Sequence, residues 1–450
     1  MIKFSTVILL LFMLPAGCSL FDHQVVKPSV NPPNQWPHQA DNVSYSSVNL
    51  PELAWWEQFD DPQLNHLIKQ ALHDNNHLKI AVANLEYAQA ELKQIQLNWI
   101  PSVNILGGYS QMPTLGDPKN FIGVIPLYTM NVFEQIKQQE RAEYTVTASQ
   151  YARDSVRLAL IGQVSASYFA ILAQTQALAI YQQLLDNNQK LLKLYQRQYH
   201  SALIAYDDID LLQSNIAQIE AQIEITKHNI VVSKNALHYL LNENPGNIIL
   251  SKSFIEIDSN KVIPGNLPAT VLNNRPDVQE AENSLRAANA NIGVAASGLL
   301  PSIRLDAFLN YRSSLNAYQH LTEATSDIPL LTPTTLGKID ASRAAYKVAY
   351  TQYVDKMRTV LQQVDNDFSA YSAYTRQLNR VEFAFGQENK HCQLVDSRYK
   401  HALESQVGVT QCNIRLNQLD LQLNQEKFEK MMTIVVLYQD LGGGYVYDKH

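Results

Sequence analysis

Charge of either sign is scarce in this chain of 450 residues, since only 17% of them are Asp, Glu, Lys or Arg. The formal net charge is −7, and there is no basic stripe that could neutralise a phosphate backbone. After the N-terminus, we find no apolar run of the roughly 18 to 20 residues that a membrane-spanning helix needs. These absences argue against a nucleic-acid partner and against a transmembrane helix in the mature chain.

Residue patterns typical of catalysis are absent as well. There is no nucleophile constellation, no glycine-rich phosphate loop after a strand, and no Cys-x-x-Cys pair. His73 and His77, with His66 nearby, have a spacing that could bind a metal on one helix. The Asp and Asn residues at positions 74–76, however, are typical of a break between helices. The sequence therefore predicts no enzyme, no metal site and no cofactor.

The N-terminus has the pattern of a secretion signal. A lysine is followed by a short apolar core at residues 7–14 and by small residues before Cys18. This resembles the cleavage site of bacterial lipoproteins, although Pro15 stands where that site prefers leucine. An ordinary signal peptide or an uncleaved anchor is the alternative. We predict a signal peptide at residues 1–17, a lipid on Cys18, and a proline-rich, extended tether at residues 18–51.

The rest of the chain contains an internal duplication with a spacing of 200 residues. Residue pairs that recur at this spacing include Leu72 and Leu272, Leu85 and Leu285, Pro101 and Pro301, Tyr199 and Tyr399, and Ala202 and Ala402. The repeated unit is far longer than a solenoid repeat, so a whole structural unit has been duplicated. We place the repeats at residues 52–245 and 271–441, with a linker at 246–270 and a tail at 442–450.

Each half has the same order of predicted elements: a helix, a β-hairpin and a long helical hairpin. The bounds in the two halves are 77–98 and 277–297 for the helix, 102–132 and 302–335 for the β-hairpin, and 133–242 and 336–440 for the helical hairpin. The strand prediction rests on the alternation of apolar and mostly polar residues after Pro301. The reversals of the helical hairpins are predicted near residues 199–206 and 399–406.

The long proline-free stretches have apolar residues at every seventh position. These are Val164, Ile171, Leu178, Leu185, Leu192 and Tyr199 in the first half, and Val364, Tyr371, Leu378, Phe385, Cys392 and Tyr399 in the second. This spacing predicts a narrow seam between neighbouring helices, while Gln, Asn, Ser and Lys keep the other faces wet. The fold class is therefore mainly α with a small β part, in which long antiparallel helical hairpins form the wall of an α-barrel.

Two β-hairpins supply about four strands, which cannot close a membrane barrel alone. An open strand edge is not tolerated in lipid, so several chains must pool their strands into one shared transmembrane β-barrel. The sequence thus predicts an oligomeric tube in an outer membrane, with helical hairpins extending below it.

Several motifs, taken in order, resemble the TolC-like outer-membrane efflux protein family, and within it the OprM/NodT lipoprotein branch. They are Trp55-Trp56-x-x-Phe59-x-Asp61-Pro62, Leu241-Asn242-Glu243-Asn244-Pro245-Gly246, Arg275-Pro276-Asp277-Val278, and Leu437-Tyr438-x-x-Leu441-Gly442-Gly443-Gly444-Tyr445. The resemblance covers nearly the whole mature chain. It implies a homotrimer with a twelve-stranded barrel, joined through a periplasmic adaptor protein to an inner-membrane pump of the RND type, or of the ABC or MFS type.

Some residues depart from the family pattern. The last strand is expected to contain Pro329 and Pro333, which puts the height and openness of the barrel in question. Both helix reversals have Ala, at positions 202 and 402, where the family usually has Gly. Gln411 aligns with an aspartate that narrows the pore in relatives, whereas Arg398 and Tyr399 keep the family's residue types.

The periplasmic tip is the predicted gate. Asp207, Asp208 and Asp210 cluster at the first reversal, and three copies would bring nine carboxylates together and favour cations in the bore. The alternative is that these acids only cap a helix N-terminus and complement its dipole. Arg398 and Tyr399 could make inter-helix locks at the same level, although Tyr399 also fits a seam position.

Cys392 and Cys412 lie ten residues on either side of Ala402. In an antiparallel hairpin they would lie at similar height, so a disulfide is possible if their Cα atoms come within about 7 Å. Export to an oxidising compartment permits such a bond. Two buried free thiols are the alternative.

The sequence as a whole predicts a passive conduit in the outer membrane, lipid-anchored and extending into the periplasm, that exports small toxic compounds. Two alternatives remain open: the outer-membrane component of an ABC-driven polypeptide secretion system, and a lipoprotein scaffold that never forms an open pore. The sequence does not identify the exported substrate.

Overall fold

The computed structural model describes residues 30–39, 49–110, 119–258, 265–312, 317–329 and 332–446. The predicted signal peptide, Cys18 and the tips of both β-hairpins lie outside these residues. The helices are α1 (Pro62–Asp74), α2 (Asn76–Leu97), α3 (Val132–His200), α4 (Tyr206–Leu240), α5 (Pro268–Asn274), α6 (Pro276–Ala296), α7 (Pro333–Lys400) and α8 (Gln406–Asp440). The strands are β1 (Ser102–Ser110), β2 (Lys119–Met130), β3 (Ser302–Arg312) and β4 (Ala317–Asp327).

The chain forms two compact units. The sheet unit contains Ala81–Arg153 and Asp277–Arg358, and the hairpin unit contains Pro32–Ile80, Asp154–Pro276 and Thr359–His450. Each unit therefore combines corresponding parts of both sequence halves. The predicted fold class, long helical hairpins with a small sheet, is confirmed.

In the sheet unit, the four strands form one antiparallel sheet in the order β1-β2-β3-β4. Residues that pair directly across strands share a face, and the registers make one face predominantly apolar, whereas the opposite face is mixed, with Leu106, Ile125 and Leu127 among its polar residues. The apolar face carries Val103, Ile105, Val124, Tyr128, Ile303 and Leu305, and the opposite face carries Ser102, Asn104, Arg304, Asp306 and Glu323. The outer edges of β1 and β4 pair with no other strand among the described residues.

The prediction that Pro329 and Pro333 lie inside the last strand is wrong. Strand β4 ends at Asp327, and Pro333 is the first residue of α7, so this helical hairpin begins before the predicted residue 336. Proline suits the first helical position because its missing N–H would have no partner there. The proline that does affect the sheet is Pro126 in β2, where the pairing with β3 is interrupted at Ile125 and Pro126.

In the hairpin unit, all four long helices end in the same backbone motif. Ala202, Asn242, Ala402 and Gly442 have φ angles of 57°, 58°, 57° and 78°, in the left-handed region. After α3, the amide of Leu203 donates to the carbonyl of Gln198 at 2.9 Å and that of Ala202 donates to Tyr199 at 2.8 Å. These are the two hydrogen bonds of a Schellman motif. Positions 202 and 402, and positions 242 and 442, are pairs of the 200-residue duplication.

Aromatic residues from both ends of the chain form a core in the hairpin unit. The Trp55 ring stacks on the Tyr438 ring with centroids 5.1 Å apart, and Phe59 packs edge-on against Phe169 at the same distance. A Cβ atom at Gly444 would lie 2.6 Å from the Trp56 ring, so a larger residue does not fit there. The Trp-Trp motif therefore packs directly against the Gly-Gly-Gly motif.

Asp61, in the motif that begins at Trp55, has two structural roles. Its Oδ1 accepts hydrogen bonds from the amides of Gln63 and Leu64, which caps α1 ahead of Pro62. Its Oδ2 accepts a hydrogen bond from the Tyr168 hydroxyl at 2.7 Å. This fully buried carboxylate therefore joins the start of α1 to α3.

The seven-residue pattern is confirmed in part, because half of its positions are buried, whereas Leu178, Leu185, Leu192 and Phe385 are only partly buried. Val164, Ile171, Val364, Tyr371 and Leu378 are buried. The pattern fails at the reversals, where Tyr199 and Tyr399 are 42% and 41% exposed. The seam interpretation of Tyr399 is therefore wrong for the single chain.

Residues 32–39, a described part of the predicted tether, belong to the hairpin unit. Trp36 is buried against Phe368, with ring centroids 5.8 Å apart, and its Nε1 donates to the carbonyl of Asn266 at 2.5 Å. The His38 Nδ1 lies 2.7 Å from a carboxylate oxygen of Asp365. This segment bends at residues 34–35 and turns at 37–38, and it is docked, so the expectation of a free, extended tether is wrong for these residues.

Among the described residues, α3 alone contains a stretch long and apolar enough to cross a membrane by length and composition. The sequence prediction of no such stretch is corrected here. Since 61% of the stretch is buried inside the protein, its environment is that of a packed core helix.

We expect Ala402→Gly to stabilise the protein, because a left-handed conformation costs a non-glycine residue about 1 kcal/mol or more. The measurement is the thermal unfolding midpoint of the purified protein in detergent. Ala217→Gly, at an exposed interior position of α4, is the matched control and should lower the midpoint. A lower midpoint for Ala402→Gly as well would contradict the role assigned to the left-handed alanines.

Candidate functional site

The predicted gate residues lie around two helix reversals, which we call the first reversal (residues 201–205) and the second reversal (residues 401–405). Asp207, Asp208 and Asp210 lie in the first turns of α4, and all three are exposed. The N-cap residue is Ala205, and no side chain caps this helix. Direct capping by these aspartates is therefore wrong, while a favourable interaction with the helix dipole remains.

The second reversal differs in its chemistry. Ser405 caps α8 by accepting a hydrogen bond from the amide of Gly408 at 3.0 Å, and the first turn of α8 has no acidic residue. Arg398 and Tyr399 are exposed, and neither side chain makes a hydrogen bond or an ion pair to another described residue. The predicted inter-helix lock is thus absent within the described part of one chain.

Gln411 lies in a groove of about 750 Å³ lined by α3, α4 and α8. Its Nε2 donates to the Tyr195 hydroxyl at 3.0 Å, which ties α8 to α3. Asp208 from the first reversal and Arg415 from α8 line the same groove. The structure therefore brings two of the predicted gate residues, Asp208 and Gln411, to one surface.

Cys392 and Cys412 form a disulfide that joins α7 to α8, with Cα atoms 5.6 Å apart. Both residues are buried, next to Val395, with Val409 and Leu416 partly buried around them. The sequence favours two buried free thiols over a disulfide, and this expectation is wrong, because the structure contains the disulfide. The first hairpin has Leu192 and Leu212 at the equivalent positions, so only the second hairpin is cross-linked in this way.

Sequence reasoning missed a group of buried charges in the hairpin unit. Arg275 donates to Asp440 Oδ1 at 2.9 Å and to the Asp440 carbonyl at 3.1 Å. Burial, together with the neighbouring Asp440 carboxylate, raises the pKa of Asp367 to about 8, although Arg275 partly opposes this shift. These surroundings favour the protonated form of Asp367 at neutral pH. Only Arg275 belongs to a recognisable motif, and its partners lie far away in sequence.

The inter-repeat linker is held by a half-buried cation, Lys427. The Lys427 Nζ donates to the carbonyls of Phe254 and Ile255 at 3.1 and 2.9 Å and lies over the Phe254 ring. Burial lowers the pKa of Lys427, whereas Asp258 and Glu382 oppose this effect. This contact fixes part of the linker against α8.

The chain matches the family model described as outer membrane efflux protein over residues 67–243 and 267–443. It is 25% identical over 462 aligned positions to an antibiotic efflux pump outer membrane protein, ArpC, of Pseudomonas putida, with 95% of this chain and 93% of that protein covered. It is 24% identical to the cation efflux system protein CusC of Escherichia coli, with 95% and 96% covered.

Solved structures agree on the fold. The open state of the Neisseria gonorrhoeae outer-membrane channel MtrE superposes with a TM-score of 0.80 at 22% identity, covering 94% of this chain and 98% of that one. The long helical hairpins and the four-stranded sheet are thus the fold of solved outer-membrane channel subunits. The chain belongs to the outer membrane efflux protein family. It is an outer-membrane channel component of an efflux system, as the sequence predicted.

The raised pKa of Asp367 predicts that the stability of the folded protein depends on pH. The folded protein holds this proton up to about pH 8, whereas the unfolded chain releases it near its ordinary value of 3.8. Because the folded state then binds more protons, stability should fall as pH rises between these values. Asp367→Asn should remove this trend and raise the unfolding midpoint by a few degrees near pH 8, with little change near pH 4.

Asp355→Asn, an exposed change on the same helix, is the control and should leave the trend in place. Thermal unfolding between pH 4 and pH 9 is the measurement. An Asp367→Asn protein with the wild-type pH slope would contradict the assignment of the proton to Asp367.

Proposed function

We propose that three copies of this chain form the passive outer-membrane conduit of a tripartite exporter of small toxic compounds. The observation that carries the proposal is the four-stranded sheet with one apolar face and two unpaired outer edges. In hydrocarbon, unpaired backbone groups cost several kcal/mol each, so such a sheet favours closure with further copies. Three copies would give the twelve strands that the family resemblance implies.

The partners follow from the same proposal. The helical hairpins would extend into the periplasm, where an adaptor protein joins the conduit to an inner-membrane pump of the RND type, or of the ABC or MFS type. Energy would come from the pump, so the conduit needs no cofactor and no chemistry of its own. A lipid on Cys18 would anchor each copy to the outer membrane. The adjacent docked segment around Trp36 would then connect this anchor to the hairpin unit.

The exposed acids of the first reversal support a preference for cationic cargo. Asp207, Asp208 and Asp210 make no hydrogen bond or ion pair with other described residues, so their charge is available to a passing solute. Relatives have varied cargo: CusC belongs to a cation efflux system, and ArpC to an antibiotic efflux pump. We infer that the tip charge of this chain favours amphipathic organic cations over neutral compounds.

Dye accumulation in the native host tests the proposal, in a strain that lacks sister channels. Deleting the gene should raise the accumulation of both a cationic and a neutral hydrophobic dye, and re-expression should reverse the rise. The triple change Asp207→Asn, Asp208→Asn and Asp210→Asn should slow efflux of the cationic dye several-fold and leave the neutral dye unchanged. Glu220→Gln, an exposed change further along α4, is the control.

Each outcome discriminates between functions. Unchanged accumulation of both dyes after deletion would contradict small-molecule efflux. A loss of secreted polypeptides in that strain would then favour the secretion alternative, and unchanged secretion would favour the scaffold. Equal slowing of both dyes by the triple change would contradict the charge preference and leave the conduit itself intact.

A further inference from the structure

The disulfide near the second reversal is surrounded by two further groups that can bind metal ions. Glu388 and His391 lie on α7, within one helical turn of Cys392, while Cys412 lies opposite on α8. One ligand atom each of Glu388, His391 and Cys412 lie within 4.8 Å of one another. The Oε1 of Glu388 is 3.7 Å from the Cys392 sulfur and 3.6 Å from the Cys412 sulfur.

We propose that the thiol form of this hairpin binds one thiophilic divalent metal ion of the zinc class through Cys392, Cys412, His391 and Glu388. Every chain has this thiol form before its disulfide is made. The proposal concerns the maturation of the hairpin, and it does not depend on the proposed cargo.

The two measured distances from Glu388 to the cysteine sulfurs match two edges of a tetrahedral site. With metal–sulfur bonds of about 2.3 Å and a metal–oxygen bond of about 2.0 Å, a tetrahedron has sulfur–oxygen edges of about 3.5 Å. The two measured distances from Glu388 to the sulfurs, 3.7 and 3.6 Å, agree with this value. The sulfurs themselves would have to separate to about 3.8 Å, which side-chain rotation can provide at the present Cα separation of 5.6 Å.

The charges around the site also balance. Two thiolates and one carboxylate carry three negative charges, while a divalent ion and Arg415 carry three positive charges. The Arg415 Nε donates to Glu388 Oε1 at 2.9 Å, which orients the carboxylate as a ligand's outer partner does. Because both cysteines are buried, with exposures of 8% and 1%, a neutral arrangement is favoured over an uncompensated one.

Metal binding and disulfide formation compete for the same two sulfurs. Binding releases one proton from each thiol and moves no electrons, whereas the disulfide forms only when two electrons and two protons are removed. A bound ion would therefore hold the hairpin in its unoxidised form until it dissociates. The first hairpin cannot do this, because Asn188, Leu191, Leu192 and Leu212 occupy the four equivalent positions.

Cobalt(II) titration of the purified full-length protein in detergent tests the proposal, after reduction with a phosphine and removal of metals. We expect one cobalt ion per chain, with a thiolate charge-transfer absorbance and the visible bands of tetrahedral cobalt, and displacement by zinc. The oxidised protein should show neither. His391→Ala and Glu388→Gln should each weaken binding about tenfold or more, whereas His401→Ala should not.

The double change Cys392→Leu and Cys412→Leu gives the second hairpin the leucines of the first and leaves Cys18 in place. It should abolish the cobalt absorbance, and its thermal unfolding midpoint should stay close to that of the reduced wild-type protein. The absence of thiolate absorbance in the reduced wild-type protein would overturn the proposal. Wild-type affinity in both His391→Ala and Glu388→Gln would overturn it as well, since it would indicate chelation by the two thiols alone.

Discussion

The structure depends most on a constraint that one chain cannot satisfy: the outer edges of β1 and β4 are unpaired within the described residues. In water these edges would risk aggregation, and in hydrocarbon their backbone groups would have no partners at all. The apolar face of the sheet makes lipid its natural surroundings, and Ile105 on that face is 74% exposed in the single chain. The open edges therefore support the proposed assembly of several copies around one shared barrel.

The long helices need well-defined ends, and the duplication provides the same type of end in both halves of the chain. All four end in the same left-handed motif, at Ala202, Asn242, Ala402 and Gly442. This common scaffold leaves the two reversals free to differ in side chains. The first has three exposed acids beside an uncapped helix start, whereas the second has a serine cap and a buried disulfide. The two halves therefore share their helix ends and differ in the chemistry of their reversals.

Sequence patterns predicted the features that depend on local periodicity or on one residue type. The seven-residue seams, the alternating strand and the helix end before Gly442 are of this kind. What sequence could not predict depends on tertiary contacts. The sequence around Pro333 does not show whether this proline ends a strand or begins a helix, and in the structure it is the first residue of α7. The seven-residue spacing continues to Tyr399, but the packing between the helices ends before this residue, which is exposed. The interaction of Asp367 with Asp440 and Arg275, and the docking of Trp36 on Phe368, join residues too distant in sequence for any local pattern.

The central claim is that the chain completes its sheet only with two further copies. Its most direct test is the mass of the intact particle, measured by native mass spectrometry of the mature protein released from detergent. The account predicts a single species of three chains that keeps its strand and helix content. A well-folded monomer that remains stable in detergent and in lipid would contradict it, because the edges of β1 and β4 would then be tolerated without partners.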